Sequence, residues 1–263
     1  MNNKIRCDYM ENDGLILANK IATAIKNNKF LSFIILGDRN IGKSTYAIKA
    51  LYEAFMILAD DPYAEDECWD KALSCIKFKI KDVTDYLREG TNQYKKDKTK
   101  KPALVWDDMR KYASGTQYFL DKELYNEISG LLDTIKIPIN VFMGTCPSMK
   151  GVMGILQDYD SYQINVEYST RGGNYRLAKG FLWKTSPKGQ RAIYPKFHDT
   201  FYYRLPNKIW NKYEKDRIDV SEQSISALEK IGEKRKLREM EEKIREYKLK
   251  QKLKKIIKED EVI

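Results

Sequence analysis

The chain has 263 residues, 42% hydrophobic and 33% charged, with a formal net charge of +10. That length suits one α/β domain of ordinary size with extra elements attached, and the apolar share is enough for a packed core. No apolar run approaches the roughly 18 residues of a membrane span, and Met1–Asp13 is polar rather than signal-like. Cys7, Cys68, Cys75 and Cys146 are scattered without a C-x-x-C pair, which excludes a disulfide framework or zinc cluster and points to a reducing cytoplasm. His198 is the single histidine, so a His-rich metal site is excluded as well. The positive excess favours a polyanionic partner such as nucleic acid. Abundant Lys, Glu, Ile and Tyr fit either an ion-pair-rich thermophile surface or an AT-rich genome.

In chain order, Leu15, Leu17, Ile21 and Ile25 predict an amphipathic helix over Gly14–Asn27. Phe30–Leu36 is almost wholly apolar without alternation, as expected of a strand covered on both faces. Gly37–Ser44 breaks the run. Helical spacing then resumes over Ser44–Leu58 through Ala47, Ile48, Leu51, Phe55 and Leu58. Asp60–Asp70 reads as an acidic loop, Cys75–Lys81 as a more exposed strand and Asp82–Glu89 as a short helix. Thr91–Lys101 reads as a lysine-rich loop before a second apolar strand, Ala103–Trp106. Asp121 is placed to cap a helix over Lys122–Lys136, and Ile137–Gly144 is a third apolar strand ending at Thr145. Beyond residue 150, Ser161–Ser169, Tyr175–Lys184 and Gln190–Phe197 alternate between turn signals and predict antiparallel strands. A helix is expected over Asn207–Asp216, and a charged helical tail from about Ser221.

Chemistry concentrates in Gly37-Asp38-Arg39-Asn40-Ile41-Gly42-Lys43-Ser44, which fits G-x-x-x-x-G-K-[ST]. The two glycines let the backbone curl with its N–H groups inward, and the positive end of the following helix adds to that field. Lys43 is expected on β- and γ-phosphates, the Ser44 hydroxyl on Mg²⁺, and Thr45 near the α-phosphate. A simple glycine turn between two core elements is the structural alternative, but the required strand before and helix after are both present.

Ala103–Trp106 delivers Asp107 at a strand end, the arrangement that holds magnesium in such sites. Asp108 follows where an acid can polarise an attacking water, although a simple helix cap is the other reading. Asp is one methylene shorter than the Glu more usual there. Thr145, at the end of the third strand, is a candidate sensor of the γ-phosphate or an ordinary strand–loop junction residue. A cation is also needed for developing charge. Arg110, Arg171 and Arg176 are candidates, with Arg171 preferred for its Gly-flanked turn. Lys95–Lys101 holds five lysines, and Lys234–Lys258 carries twelve Lys or Arg against four Glu. Both are candidate DNA contacts, or solvated charge.

With GDRNIGKST, ALVWDD and INVFMGT in that order, the chain resembles the ATPases of the additional-strand P-loop division. More narrowly, ILGDRNIGKSTYAIKAL, the lysine-rich loop before PALVWDDM, and YYRLPNKIWNKYEKDR are similar to small AAA-type ATPases of crenarchaeal viruses and plasmids. Those proteins are loosely related to bacterial replication initiators and DNA-translocating ATPases. The resemblance covers Phe30–Arg217. It implies Lys43 and Ser44 for nucleotide and magnesium, Asp107 for magnesium, Asp108 for the water and Thr145 as sensor. The chain departs from a full AAA+ pattern: alternating strands, rather than a helical lid with a second sensor arginine, follow Thr145. A RecA-like translocase core therefore stays open.

The expected architecture is an α/β P-loop core with a mostly parallel sheet flanked by helices, C-terminal antiparallel β-hairpins and a basic helical tail. The expected division is 1–217 for the ATPase domain (core about 30–150, hairpins about 160–204) and 218–263 for the tail. The expected function is ATP hydrolysis with Mg²⁺, coupled to work on DNA in a homo-oligomer of the cytoplasm, a host's if the source is viral. The rivals are a nucleotide or nucleoside kinase, and an ATP-dependent switch or scaffold with little turnover.

Overall fold

The computed structural model describes residues 14–61, 63–109, 122–148, 162–185 and 191–260. The chain divides into two compact units, Met1–Asn211 and Lys212–Ile263. The first unit is built on a sheet of β1 (Leu31–Leu36), β2 (Ile76–Lys77), β3 (Lys101–Trp106), β4 (Ile139–Cys146), β5 (Tyr162–Tyr168), β6 (Tyr175–Thr185) and β7 (Arg191–Tyr202). Its helices are α1 (Ile16–Lys26), α2 (Lys43–Leu58), α3 (Glu65–Ser74), α4 (Ile80–Asp97) and α5 (Lys122–Thr134), before the long α6 (Asn207–Asp260) begins.

The strand order is β2-β3-β4-β1-β5-β6-β7. β2, β3, β4, β1 and β5 run parallel, and β6 and β7 extend the sheet antiparallel. This is the mostly parallel, helix-flanked sheet of a P-loop NTPase, with β4 inserted between the loop-bearing β1 and β3. The additional-strand order read from the three motifs is therefore present. β1 and β4 are apolar because both of their faces are covered. Phe33–Leu36 and all of Ile139–Cys146 are buried. On one face Ile34, Leu104, Trp106 and Phe142 pack with Val83 and Leu87 of α4 and Ile128 and Leu132 of α5. The opposite side carries α2, with α1 and α3 laid against it.

Several elements differ from the sequence expectations. The acidic stretch is not a loop throughout, because α3 occupies Glu65–Ser74. Glu65, Asp66 and Glu67 stand in its first turn, where the helix dipole favours them. Cys68, Trp69 and Ala72 supply its buried face. The expected lysine-rich loop is mostly helix: α4 continues to Asp97, placing Lys95 and Lys96 in its last turn, with Lys98 left-handed at the C-cap. β2 shrinks to two residues, since Ile80 already begins α4. β5 pairs parallel with β1 and antiparallel with β6, so only one of its edges matches the antiparallel expectation. Thr145 lies inside β4 rather than beyond it. α6 is one helix where two were expected, since no breaker stands between Asp216 and Ser221. The Asp121 cap falls outside the described residues.

The second unit is the continuation of α6, and its described side chains are mostly exposed. No helix among the described residues is long and apolar enough to cross a membrane. Cys68, Cys75 and Cys146 are buried free thiols.

One buried carboxylate ties α1 and α2 to the far side of the sheet. Asp199 on β7 accepts the Ile16 N–H at 2.8 Å, the Leu17 N–H at 3.1 Å and the Tyr46 hydroxyl at 2.5 Å. Glu53 of α2 accepts the Leu15 N–H at 2.7 Å. Together these acids satisfy first-turn donors that α1 cannot satisfy itself. Burial pushes the Asp199 carboxyl up, opposed by the Tyr46 hydroxyl and the two backbone donors. Asp199→Ala is expected to cost about 3 kcal/mol of stability, because it strands a buried hydroxyl and two helix N–H groups. Urea denaturation of the two proteins measures it.

Candidate functional site

β1 ends at Leu36, and the chain turns through Gly37–Gly42 into α2. Conformation calls for glycine at both positions, and space at the first as well. Gly37 has φ 147°, and a Cβ there would lie 2.5 Å from the Val166 carbonyl of β5. Gly42 has φ 103° as the N-cap of α2, a value L side chains rarely adopt. Asp38, Arg39 and Asn40 are exposed, while Ile41 is buried and anchors the loop. The loop thus leaves the first-turn N–H groups of α2, at Lys43, Ser44 and Thr45, at the C-terminal edge of the sheet.

Lys43 folds back over this loop. Its ammonium donates to the Gly37 carbonyl at 2.8 Å and to the Asp38 carbonyl at 2.7 Å. Burial holds it below the ordinary lysine range, opposed by the negative charge of Asp108 and then Asp107. A lysine cation beside the N-terminus of a helix meets the electrostatic requirement for holding polyphosphate.

The three separated sequence motifs converge on Asp107, which is 1% exposed. The Ser44 hydroxyl donates to Asp107 Oδ1 at 2.7 Å. The Thr145 hydroxyl donates to the same oxygen at 2.6 Å and accepts the Asp108 N–H at 2.9 Å. Register explains the meeting: Trp106 pairs with Gly144, and Ile35 pairs with Thr145, so the ends of β3, β4 and β1 stand side by side. Gly144 keeps room for the turn after β3, since a Cβ there would fall 2.1 Å from Met109 Sδ.

Thr145 is fully buried, and its hydroxyl is engaged on both sides by Asp107 and Asp108. In this geometry it orients the two acids. Asp108 has a left-handed φ of 51° and an exposed side chain. That conformation costs a non-glycine residue of the order of 1 kcal/mol, and the bond from its N–H to Thr145 helps hold it.

A magnesium ion fits this donor set. It needs oxygen ligands, keeps several waters and takes one or two carboxylates plus phosphate oxygens. Ser44 Oγ and Asp107 Oδ1 already converge, and no cluster of three His, Cys, Asp or Glu occurs among the described residues.

Neither of the described arginine candidates bonds to Ser44, Asp107 or Thr145. Arg171 is exposed on the β5–β6 turn, with β5, β1 and β4 between its end of the sheet and Asp107 on β3. Arg110 lies outside the described residues. Arg176 is buried, its guanidinium 4.5 Å from the ring centroids of both Tyr168 and Tyr203. It donates to the Gly173 and Tyr175 carbonyls at 3.1 and 2.9 Å.

Two neighbours of the loop were not legible in the sequence. A Cβ on Gly42 would lie 3.5 Å from Tyr203 Cβ and 3.6 Å from the Phe201 ring, and Phe201 also packs on Tyr46 at 4.9 Å. Only the pairing of β7 across β6 and β5 brings these residues to the loop.

No family model matches the chain. It is 25% identical over 226 residues to an uncharacterized protein, B-251, of Sulfolobus spindle-shape virus 1, covering 84% of this chain and 86% of that one. Among solved structures it is similar to the N-terminal domain of zonular occludens toxin from Neisseria meningitidis, with 14% identity and a TM-score of 0.38, over 70% of this chain and 98% of that one. It is also similar to the pCW3 conjugation coupling protein TcpA in its monomer form with ATPgS, with 14% identity and a TM-score of 0.35, over 70% and 65%. At such scores the chain paths are shared only loosely. The P-loop assignment stands on this chain's own loop, strand order and Ser44–Asp107 contact.

Proposed function

We propose that the chain binds Mg-ATP on its P-loop and hydrolyses it, coupling turnover to mechanical or assembly work on DNA. The observation that carries the first part is the 2.7 Å contact between Ser44 Oγ and Asp107 Oδ1, next to the loop that Lys43 closes. Backbone N–H groups from Asp38 to Thr45 would cradle the phosphates, with Arg39, Asn40, Ile41 and Gly42 shaping the curl. Lys43 would trade its carbonyl contacts for β- and γ-oxygens. Magnesium held by Ser44 and Asp107 would supply charge neutralisation between those two phosphates.

In the hydrolytic step, Asp108 accepts a proton as a water oxygen bonds to the γ-phosphorus. The bond from that phosphorus to the bridging oxygen breaks, and ADP keeps the electron pair. Thr145 positions Asp108 through its backbone N–H and Asp107 through its carboxylate. A cation for the developing charge would come from another copy of the chain, with Arg171 as the candidate, since its turn is exposed.

The DNA part rests on the net charge of +10 and the basic helix from Lys234 to Lys258, with Lys95 and Lys96 at the end of α4 as a second contact.

Lys43→Ala is expected to abolish ATP binding, whereas Asp108→Asn is expected to retain binding and lose at least about tenfold in phosphate release. Full activity in Asp108→Asn would reduce that residue to a structural one. Transfer of phosphate to a small acceptor in place of free phosphate release would favour a kinase. Deleting residues 222–263 is expected to weaken DNA binding and flatten its salt dependence while basal ATPase persists. Fluorescence anisotropy across a salt series measures this. An unchanged slope would remove the tail from the DNA contact.

A further inference from the structure

An open cleft of about 370 Å³ runs along α2, walled by Lys49, Tyr52 and Glu53, by Trp69 of α3, and by Tyr202 at the end of β7 and Arg204 just beyond it. We propose that this cleft seats the ribose and base of the nucleotide whose phosphates the loop holds, a proposal that rests on the P-loop reading above.

Continuity with the loop is the first argument. Thr45, Lys49, Tyr52 and Glu53 fall at i, i+4, i+7 and i+8 of α2 and therefore share one face. The α2 residues that line the cleft start about 6 Å along the helix axis beyond Thr45, where the α-phosphate is expected, and end about 12 Å beyond it. Its other wall has the same origin, because Tyr203, beside Gly42, leads directly into Arg204.

Direction is the second argument. Asp107 lies on the β4 side of β1, so the terminal phosphate points that way. The nucleoside must then leave the loop on the opposite side, toward Phe201 and Tyr203.

The lining chemistry is the third argument. Tyr52 and Trp69 stack at 3.7 Å with 5° between their planes, forming a flat rigid wall. Tyr202 is 40% exposed, with the Lys49 ammonium 5.6 Å from its ring centroid. Aromatic walls with a few polar groups suit a planar heterocycle. Glu65, Asp66 and Glu67 of α3 stand near Trp69 in sequence and space, and Glu53 lines the cleft itself. Those carboxylates disfavour a phosphodiester strand in the cleft. A base carries no such charge.

Photolabelling the full chain with 8-azido-ATP and magnesium tests the placement, because the azide sits on the base. The expected adducts fall on peptides spanning residues 49–69 or 202–206. Adducts confined to other peptides overturn the proposal and leave the P-loop reading intact. Absence of both labelling and ATP binding overturns the two together.

Calorimetry supplies an independent arm. Tyr202→Ala is expected to lose about tenfold or more in ATP affinity, the size of one lost aromatic stack. Its affinity for inorganic tripolyphosphate is expected to stay within about twofold, and Tyr202→Phe is expected to bind both as the parent does. Equal loss for ATP and tripolyphosphate in a folded Tyr202→Ala protein, or no loss for either, overturns the proposal. Protection of the cleft peptides by a single-stranded oligonucleotide in the absence of ATP competition also overturns it.

Discussion

Three separated stretches of the chain meet at one carboxylate oxygen. Asp107 Oδ1 accepts hydrogen bonds from Ser44, at the start of α2, and from Thr145, at the end of β4. An acid that is 1% exposed is tolerated because its donors come from neighbouring elements and a lysine supplies opposite charge nearby. The same bonds lock the relative positions of β1, β3 and β4. Site and fold are therefore one constraint, and a change that moves any of these strands by an ångström also opens the proposed metal position.

The other side of the loop is held by packing. Val166 presses its carbonyl where any Cβ on Gly37 would be, and Phe201 and Tyr203 abut Gly42. Behind them Asp199 fixes Tyr46, one turn into α2, and the start of α1. The first turn of α2 is thus clamped between a polar network toward β4 and an aromatic wall toward β7. Rigidity of this kind is what a phosphate cradle needs, since its donors must be in place before the ligand arrives.

The local parts of this arrangement were legible in the sequence. Glycine spacing, the apolar runs of β1, β3 and β4, and the acid after Trp106 each follow from nearest-neighbour chemistry. Two physical causes account for the differences. Charge hid helices: Glu65–Glu67 and Lys95–Lys96 looked like solvated loop, although each group sits at the helix end its sign favours. Long-range pairing hid partners. Alternation in β5 could not reveal that one of its edges would run parallel to β1, nor that Tyr203 would flank Gly42. Thr145 is legible as a polar strand-end residue, yet its bonds to both acids depend on the β3–β4 register, which spacing alone does not specify.

Ser44 and Asp107 are proposed to share one divalent cation with a bound triphosphate. Calorimetric titration of ATP into the full chain, with magnesium and with a chelator, tests this most directly when repeated on Asp107→Asn. Tight binding that depends on magnesium in the parent, and loses that dependence in Asp107→Asn, is the predicted result. ATP affinity indifferent to the metal in the parent, or an unaltered metal requirement in Asp107→Asn, would contradict it.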